Sequence, residues 1–259
     1  MTRNKTAIAV AKAVALMLVA SSAQAQVTNL VTNGGFEQLT RGPTQYGNSQ
    51  GSVRLLPNDP VSGAAGWSTA NQWSWAVKPS DIPTFLWTTQ NGGPSLVTAS
   101  PDGGNFLFMD GDMTLHGAVS QNISGLKVGD SYKLSFYSAL GQQWGQNGNT
   151  WDWMMVSLGS QQQLAWATPG VPTQMPNHGF SGWKQFNYTF QATAATETLS
   201  FLAYGGPNGL PPVTLLDGVS LVAAVPEPEE WAMMLVGAGL VSYQVRRKQA
   251  TLEQKKLDA

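Results

Sequence analysis

Residues 184–190 read KQFNYTF, and residues 131–139 read SYKLSFYSA. In the first, Phe186, Tyr188 and Phe190 alternate with Gln185, Asn187 and Thr189; in the second, Tyr132, Leu134 and Phe136 alternate with Lys133 and Ser135. Successive side chains of an extended chain point to opposite faces, so a period of two gives one apolar face and one wet face. Leu199, Phe201 and Ala203 keep the same rhythm. Each run is short and bounded by Gly, Pro or Asn, which predicts antiparallel strands with one buried face. Strands are expected near residues 30–36, 72–77, 85–88, 106–109, 118–123, 132–140, 153–158, 162–166, 184–190, 198–204 and 215–221. Many short strands with Gly-rich turns imply an all-β sandwich or barrel.

The two ends differ from this middle. Residues 1–25 carry Arg3 and Lys5, an apolar stretch from Ala13 to Ala20, and the triplet Ala23-Gln24-Ala25. That order predicts a secretory signal peptide cut before Gln26. Near the other end, residues 225–248 read VPEPEEWAMMLVGAGLVSYQVRRK. Pro226 and Pro228 force an extended approach. From Trp231 there is no charge for fifteen residues, about 22 Å as a helix and short of a hydrocarbon core of about 30 Å. Arg246, Arg247 and Lys248 follow, and the positive-inside rule holds them on the cytoplasmic side. The chain thus divides into a signal peptide (1–25), a β-sandwich domain (26–224), a segment with a single short transmembrane helix (225–248) and a cytoplasmic tail (249–259).

Composition narrows the function of the middle. The chain has no cysteine, which removes disulfides, thiolate zinc sites and thiol nucleophiles from an exported domain. Residues 26–224 hold six Lys/Arg and ten Asp/Glu, a net charge of −4, with no basic patch for a nucleic acid. Nine tryptophans lie between Trp67 and Trp183. An indole face is an apolar platform for a pyranose ring, while Asn and Gln supply hydrogen bonds to its hydroxyls. Trp73 and Trp75 share a strand face, Trp151 and Trp153 repeat the arrangement across Asp152, and Trp144 stands alone in the loop GQQWGQNGNTW. Trp144, Trp151, Trp73 and Trp75 are therefore the candidate carbohydrate-binding residues. The competing reading of most strand tryptophans, Trp183 above all, is core. His116 and His178 sit in no H-E-x-x-H motif, and ten scattered acids are expected without catalysis, although a glycosidase pair such as Glu37 and Asp152 stays open. Asp110-Gly111-Asp112 suits a turn first and a metal second.

The residues Val225, Pro226, Glu227 and Pro228, the apolar run and the Arg246-Arg247 pair together resemble the PEP-CTERM sorting signal of exported proteins in exopolysaccharide-producing Gram-negative bacteria. The resemblance implies an exosortase as partner, a stay at the inner membrane before processing, and delivery to the cell surface or extracellular matrix. The alternative is a simple tail anchor. NLVTNGGFE, GGNFLFMDG (residues 103–111), VSQNISGLKVGDSYKLSFYSA (119–139) and LLDGVSLV (215–222) look like the galactose-binding-like jelly roll. That resemblance implies two sheets face to face with the first and last strands adjacent. It also implies a structural calcium there, for which the matching positions are Glu37, Asp217 and the Gly35 carbonyl. Equally, Glu37 and Asp217 are strand-end carboxylates satisfied by turn amides. The expected protein is non-enzymatic and exported, binding carbohydrate such as exopolysaccharide weakly. The alternatives are a protein–protein matrix component without a sugar site and, last, a surface glycan hydrolase.

Overall fold

The computed structural model describes residues 28–40, 51–57, 59, 62–70, 73–115, 117–168, 170–224 and 235–247. They belong to two compact units, divided between Ala223 and Ala224. The expected signal peptide and the Val225-Pro226-Glu227-Pro228 tetrapeptide lie outside the described residues.

The first unit is a sandwich of two antiparallel sheets. One has the order β1 (Val53–Leu55), β3 (Ser74–Val77), β4 (Phe106–Asp110), β13 (Pro212–Ala223), β6 (Ser131–Gln142) and β11 (Lys184–Gln191). The other has β2 (Ser68–Thr69), β5 (Val119–Ser124), β12 (Thr196–Gly206), β7 (Thr150–Leu158), β10 (Val171–Met175) and β9 (Ala167–Thr168), with β8 (Gln161–Ala165) also pairing with β7. The alternating stretches become the longest ladders: Phe186 pairs with Phe136 and Tyr188 with Leu134 across β11 and β6. Their inward faces meet Met154, Val156 and Leu158 of β7 and Leu199, Phe201 and Ala203 of β12 in one apolar core. Trp67 is wholly buried there. Its ring lies 5.2 Å from Phe36 and 6.0 Å from Phe201, and its Nε1–H donates to the Asn33 carbonyl at 3.0 Å. The indole thus fills volume without stranding its one polar atom.

The first sheet is apolar on both faces, as the wholly buried β4 sequence FLFMD shows. A second core on its outer side joins Trp75, Phe106, Phe108, Val213 and Leu215 to Ile82, Phe85 and Leu86. Residues 85–88, expected as a strand, instead follow a 3-10 turn (Pro79–Asp81) and the short helix Ile82–Phe85. Pro79 and Pro83 explain this, since each sits in a first helical turn, where a fixed φ is favourable and the missing N–H costs nothing.

Residues 30–36, also expected as a strand, do not form one. Leu30 N–H donates to the Leu221 carbonyl at 2.8 Å and Val219 N–H to the Gly34 carbonyl at 3.0 Å, so the segment runs beside β13. Asn33 (φ 53°) and Phe36 (φ 56°) break its extension. A Cβ on Gly34 would stand 1.9 Å from the Val219 carbonyl oxygen, so this approach requires glycine. Strands β9 and β10 fall between the expected strands 162–166 and 184–190, where none was expected, because Pro172 and the neighbouring glycine mask their alternation.

In the second unit residues 235–247 are helical, about 20 Å long, and Arg246 and Arg247 close that span. Leu235, Val236, Leu240, Val241 and Tyr243 are exposed on it. Among the described residues no helix is long and apolar enough to cross a membrane, which departs from the expected transmembrane helix; residues 231–234, where that span was to begin, lie outside them.

Replacing Trp67 by Ala should cost about 3–5 kcal/mol, the range for deleting a large aromatic from a packed core. Equilibrium urea unfolding measures it, and a loss below about 1 kcal/mol would place Trp67 outside the core.

Candidate functional site

Strand β7 presents Trp151, Trp153, Met155 and Ser157 outward while Thr150, Asp152, Met154, Val156 and Leu158 are buried. Outward residues of β12 lie alongside, and the register pairs Tyr204 with Trp153 and Leu202 with Met155. The Trp153 and Tyr204 rings stack at 4.3 Å with an 8° interplanar angle. Tyr204 thereby props one face of the Trp153 indole. On the other side of Trp153 lies a groove of about 510 Å³, whose floor is Trp151 and Trp153 and whose wall is Leu164, Val171, Pro172 and Gln174. Among the described residues, none of those lining it is charged.

Gly206 sets the position of Trp151. A Cβ there would stand 2.6 Å from Trp151 Cζ2 and 3.0 Å from Nε1, so the indole lies directly on the β12 backbone. The β9 and β10 hairpin is anchored at its base by Thr173 N–H, which donates to the Trp166 carbonyl at 3.1 Å. The groove is thus a floor on one central strand, β7, with β8 and a hairpin as its wall.

The other candidate tryptophans are elsewhere. Trp75 is 2 % exposed and packs edge-on against Phe85 at 5.4 Å, so it offers no face to a ligand. Trp73 is half-buried, edge-on to Trp75 and Phe108, with the Arg54 guanidinium 5.7 Å above its ring. The period-two reading correctly set these two on one side; the helix Ile82–Phe85 then covers that side. Trp144 is 46 % exposed in the connection between β6 and β7, its backbone N–H donating to the Phe85 carbonyl at 2.9 Å, and it does not line the groove. Tyr204 was not singled out from sequence. Its alternation in β12 was visible, but only cross-strand register places it against Trp153.

Glu37, Asp217 and Gly35 do come together, and Asp102 joins them. A Cβ on Gly35 would stand 3.0 Å from Asp102 Oδ2 and 3.9 Å from Asp217 Oδ1. Glu37 lies against Gly104 and accepts the Asn105 N–H at 2.6 Å. Asp217 is wholly buried, and neither of its oxygens meets a donor at full hydrogen-bonding geometry. Burial pushes its carboxyl up to about 8; the Ser100 hydroxyl and Gly218 N–H pull it down in part, and the charges of Asp102 and Glu37 raise it. Orphaned buried carboxylate oxygens among other acids are what a hard cation satisfies. Among the described residues no three acidic or histidine side chains form a complete cage, so a cation here needs backbone carbonyls and water besides.

Asp112 is a turn residue, its carboxylate accepting from Thr114 N–H and Gly209 N–H, each at 2.8 Å. The histidine ring of His178 stacks on Trp87 at 3.8 Å, a loop contact. Residues 47–51, GNSQG, fit the G-x-S-x-G formula. That formula works on a strand-to-helix turn, whereas here strand β1 follows at Val53; Ser49 lies outside the described residues. Glu37 and Asp152 do not form a glycosidase pair, since Asp152 is buried between the sheets.

The fold and the groove define a two-sheet antiparallel β-sandwich with an aromatic-floored cleft on one outer face. No family model matches the chain, and no curated protein matches it. Among solved structures it is similar to a CBM61 carbohydrate-binding module in complex with beta-1,4-galactotriose, at 13% identity and TM-score 0.37 over 75% of this chain and 97% of that one. It is also similar to the CBM22-1 xylan-binding domain from Paenibacillus barcinonensis Xyn10C, at 10% identity and TM-score 0.32 over 68% and 94%. A third is the N-terminal cellulose-binding domain of Cellulomonas fimi beta-1,4-glucanase C, at 18% identity and TM-score 0.27 over 50% and 88%.

Proposed function

We propose that this chain is an exported, non-enzymatic protein of the cell surface or exopolysaccharide matrix, with a galactose-binding-like jelly roll that binds carbohydrate weakly. The observation that carries the reading is the groove on β7. One face of Trp153 is backed by Tyr204, and Trp151 continues the floor, giving an apolar surface for the C–H face of a pyranose. Gln174 and Thr168 supply polar contacts at its edge. An uncharged lining suits a neutral sugar, and an open floor of two indoles gives modest affinity because few polar groups fix the ligand.

Calcium is the cofactor of this reading. Glu37 and Asp217 would hold it with the Gly35 carbonyl and water, beside Asp102, joining residues 30–37 to β13 and neutralising the Asp217 carboxylate that burial otherwise disfavours. Its role is structural, since the acids lie on the first sheet and its flanking loops and the groove on the second. Sorting follows from the C-terminal tag: Val225 to Pro228 as the recognition tetrapeptide, the helix ending in Arg246 and Arg247 as a temporary anchor at the inner membrane, and an exosortase as the processing partner.

Titration calorimetry against a panel of neutral oligosaccharides should give binding that falls at least about tenfold in Trp153→Ala and Trp151→Ala and is unchanged in Trp144→Ala. Equal affinity in all three variants would reject the groove; an oligomer without any glycan affinity would favour the matrix-protein alternative. Calcium should raise the melting temperature of the wild type by several degrees, as ligand linkage requires, and leave Asp217→Asn unmoved. Intact mass of the native protein should show a C-terminus near Val225 to Pro228 that is lost in a strain lacking the exosortase; a full-length chain in both strains contradicts the sorting reading.

A further inference from the structure

The inner face of β7 carries a carboxyl that neither the groove nor the apolar core explains. Asp152 lies between Trp151 and Trp153 in sequence but points to the opposite side of the strand, wholly buried, and neither of its oxygens meets a donor at full hydrogen-bonding geometry. Its backbone pairs with Gly205 of β12 on one edge and Thr173 of β10 on the other, neither of which ionises. Thr150, the next inward residue, has a buried hydroxyl that does not reach full hydrogen-bonding geometry.

Among the described residues, the surroundings of Asp152 hold a second acid. Asp110, at the end of β4, is the charged group among the described residues that bears on Asp152, and it raises the Asp152 carboxyl further above the level to which burial has already pushed it, while Thr150 lowers it. Asp110 is itself buried and pushed up to about 6, with the Asp112 N–H holding it down at 2.8 Å and the Asp112 charge adding to the rise. The Asp112 carboxylate stays ionised, being tied to Thr114 and Gly209. β13 reaches the region through Val213, which pairs with Asp110, and Thr214, a buried hydroxyl. β6 reaches it through Gln142, whose amide bonds the Gly148 carbonyl and the His178 N–H.

A carboxylate held wholly out of water without a donor, and beside a second buried acid, is too costly to persist, and something positive must sit with it. A divalent cation needs six to eight oxygens, and Asp110 is the one acid among the described residues that bears on Asp152. A proton needs only one oxygen. We propose that Asp152 is built into β7 as the neutral carboxylic acid, and that this proton keeps closed the strand on which the tryptophan groove stands. The inference concerns the strand and holds whatever the groove binds.

The direction with pH follows from linkage. The folded chain binds this proton more tightly than the unfolded chain, whose carboxyl has the ordinary value of 3.8. The stabilisation is complete below that value and is lost as pH rises toward the raised folded value. In the strand, the loss is read as opening of residues 150–158.

The test uses the full chain and Asp152→Asn. Infrared difference spectra between them at neutral pH should show the C=O stretch of a protonated carboxyl in the wild type and not in the variant; any contribution from Asp217 is common to both and cancels. Hydrogen exchange at residues 150–158, corrected for intrinsic rates, should rise at least about tenfold in the wild type between about pH 6 and about pH 9 and stay level in the variant. Should Asp152→Asn fail to fold, the Asp217→Asn chain decides, since its remaining carboxyl band must persist while exchange rises with pH and fade only where exchange levels off. No protonated carboxyl at neutral pH overturns the proposal, as does a band that survives in a folded Asp152→Asn. A band that emerges only after chelation overturns it too, because a metal ion would then occupy the site.

Discussion

Strand β7 has to satisfy two environments at once, and much of the molecule follows from that constraint. Its inward residues Met154, Val156 and Leu158 belong to the core shared with Phe136, Phe201 and Leu216, while Trp151 and Trp153 on its other side make the groove floor. An indole on a sheet surface is useful to a ligand only if it is held in place. Tyr204 holds Trp153 from β12, and the Gly206 backbone seats Trp151. Burial of the inner face therefore fixes the geometry of the outer one, because the same backbone carries both.

The first sheet solves a different problem. It is covered on both faces, by the second sheet inside and by the Ile82–Phe85 helix with Leu86 outside. That double cover takes Trp75 out of contact with solvent, so the outer face of the second sheet is left to carry the groove. The segment before β1 runs beside β13 through a backbone approach that Gly34 alone permits, and this brings Glu37 to Asp102 and Asp217. The acids are thus collected by the same contact that closes the sandwich.

The two-sheet fold was legible because Phe186, Tyr188 and Phe190 cannot alternate as they do without one buried face. The groove was legible in part: Trp151 and Trp153 share a face by simple periodicity, as do Trp73 and Trp75. What periodicity does not contain is which faces are covered, and a proline-primed helix decided that against Trp75. Asn33 and Phe36, both at positive φ, turned an apparent strand into an irregular segment. Nor does a period of two announce that Asp152 points inward; only the burial of its neighbours Met154 and Val156 fixes its side. Tyr204 and Asp102 needed long-range pairing to be found.

The most direct test of the account is a two-dimensional NMR titration of the indole N–H signals with a neutral oligosaccharide. The account predicts that the Trp151 and Trp153 signals move in a saturable way while those of Trp67 and Trp75, enclosed in the two cores, stay fixed. A titration in which Trp144 alone responds, or in which no indole responds to any neutral sugar, would contradict it.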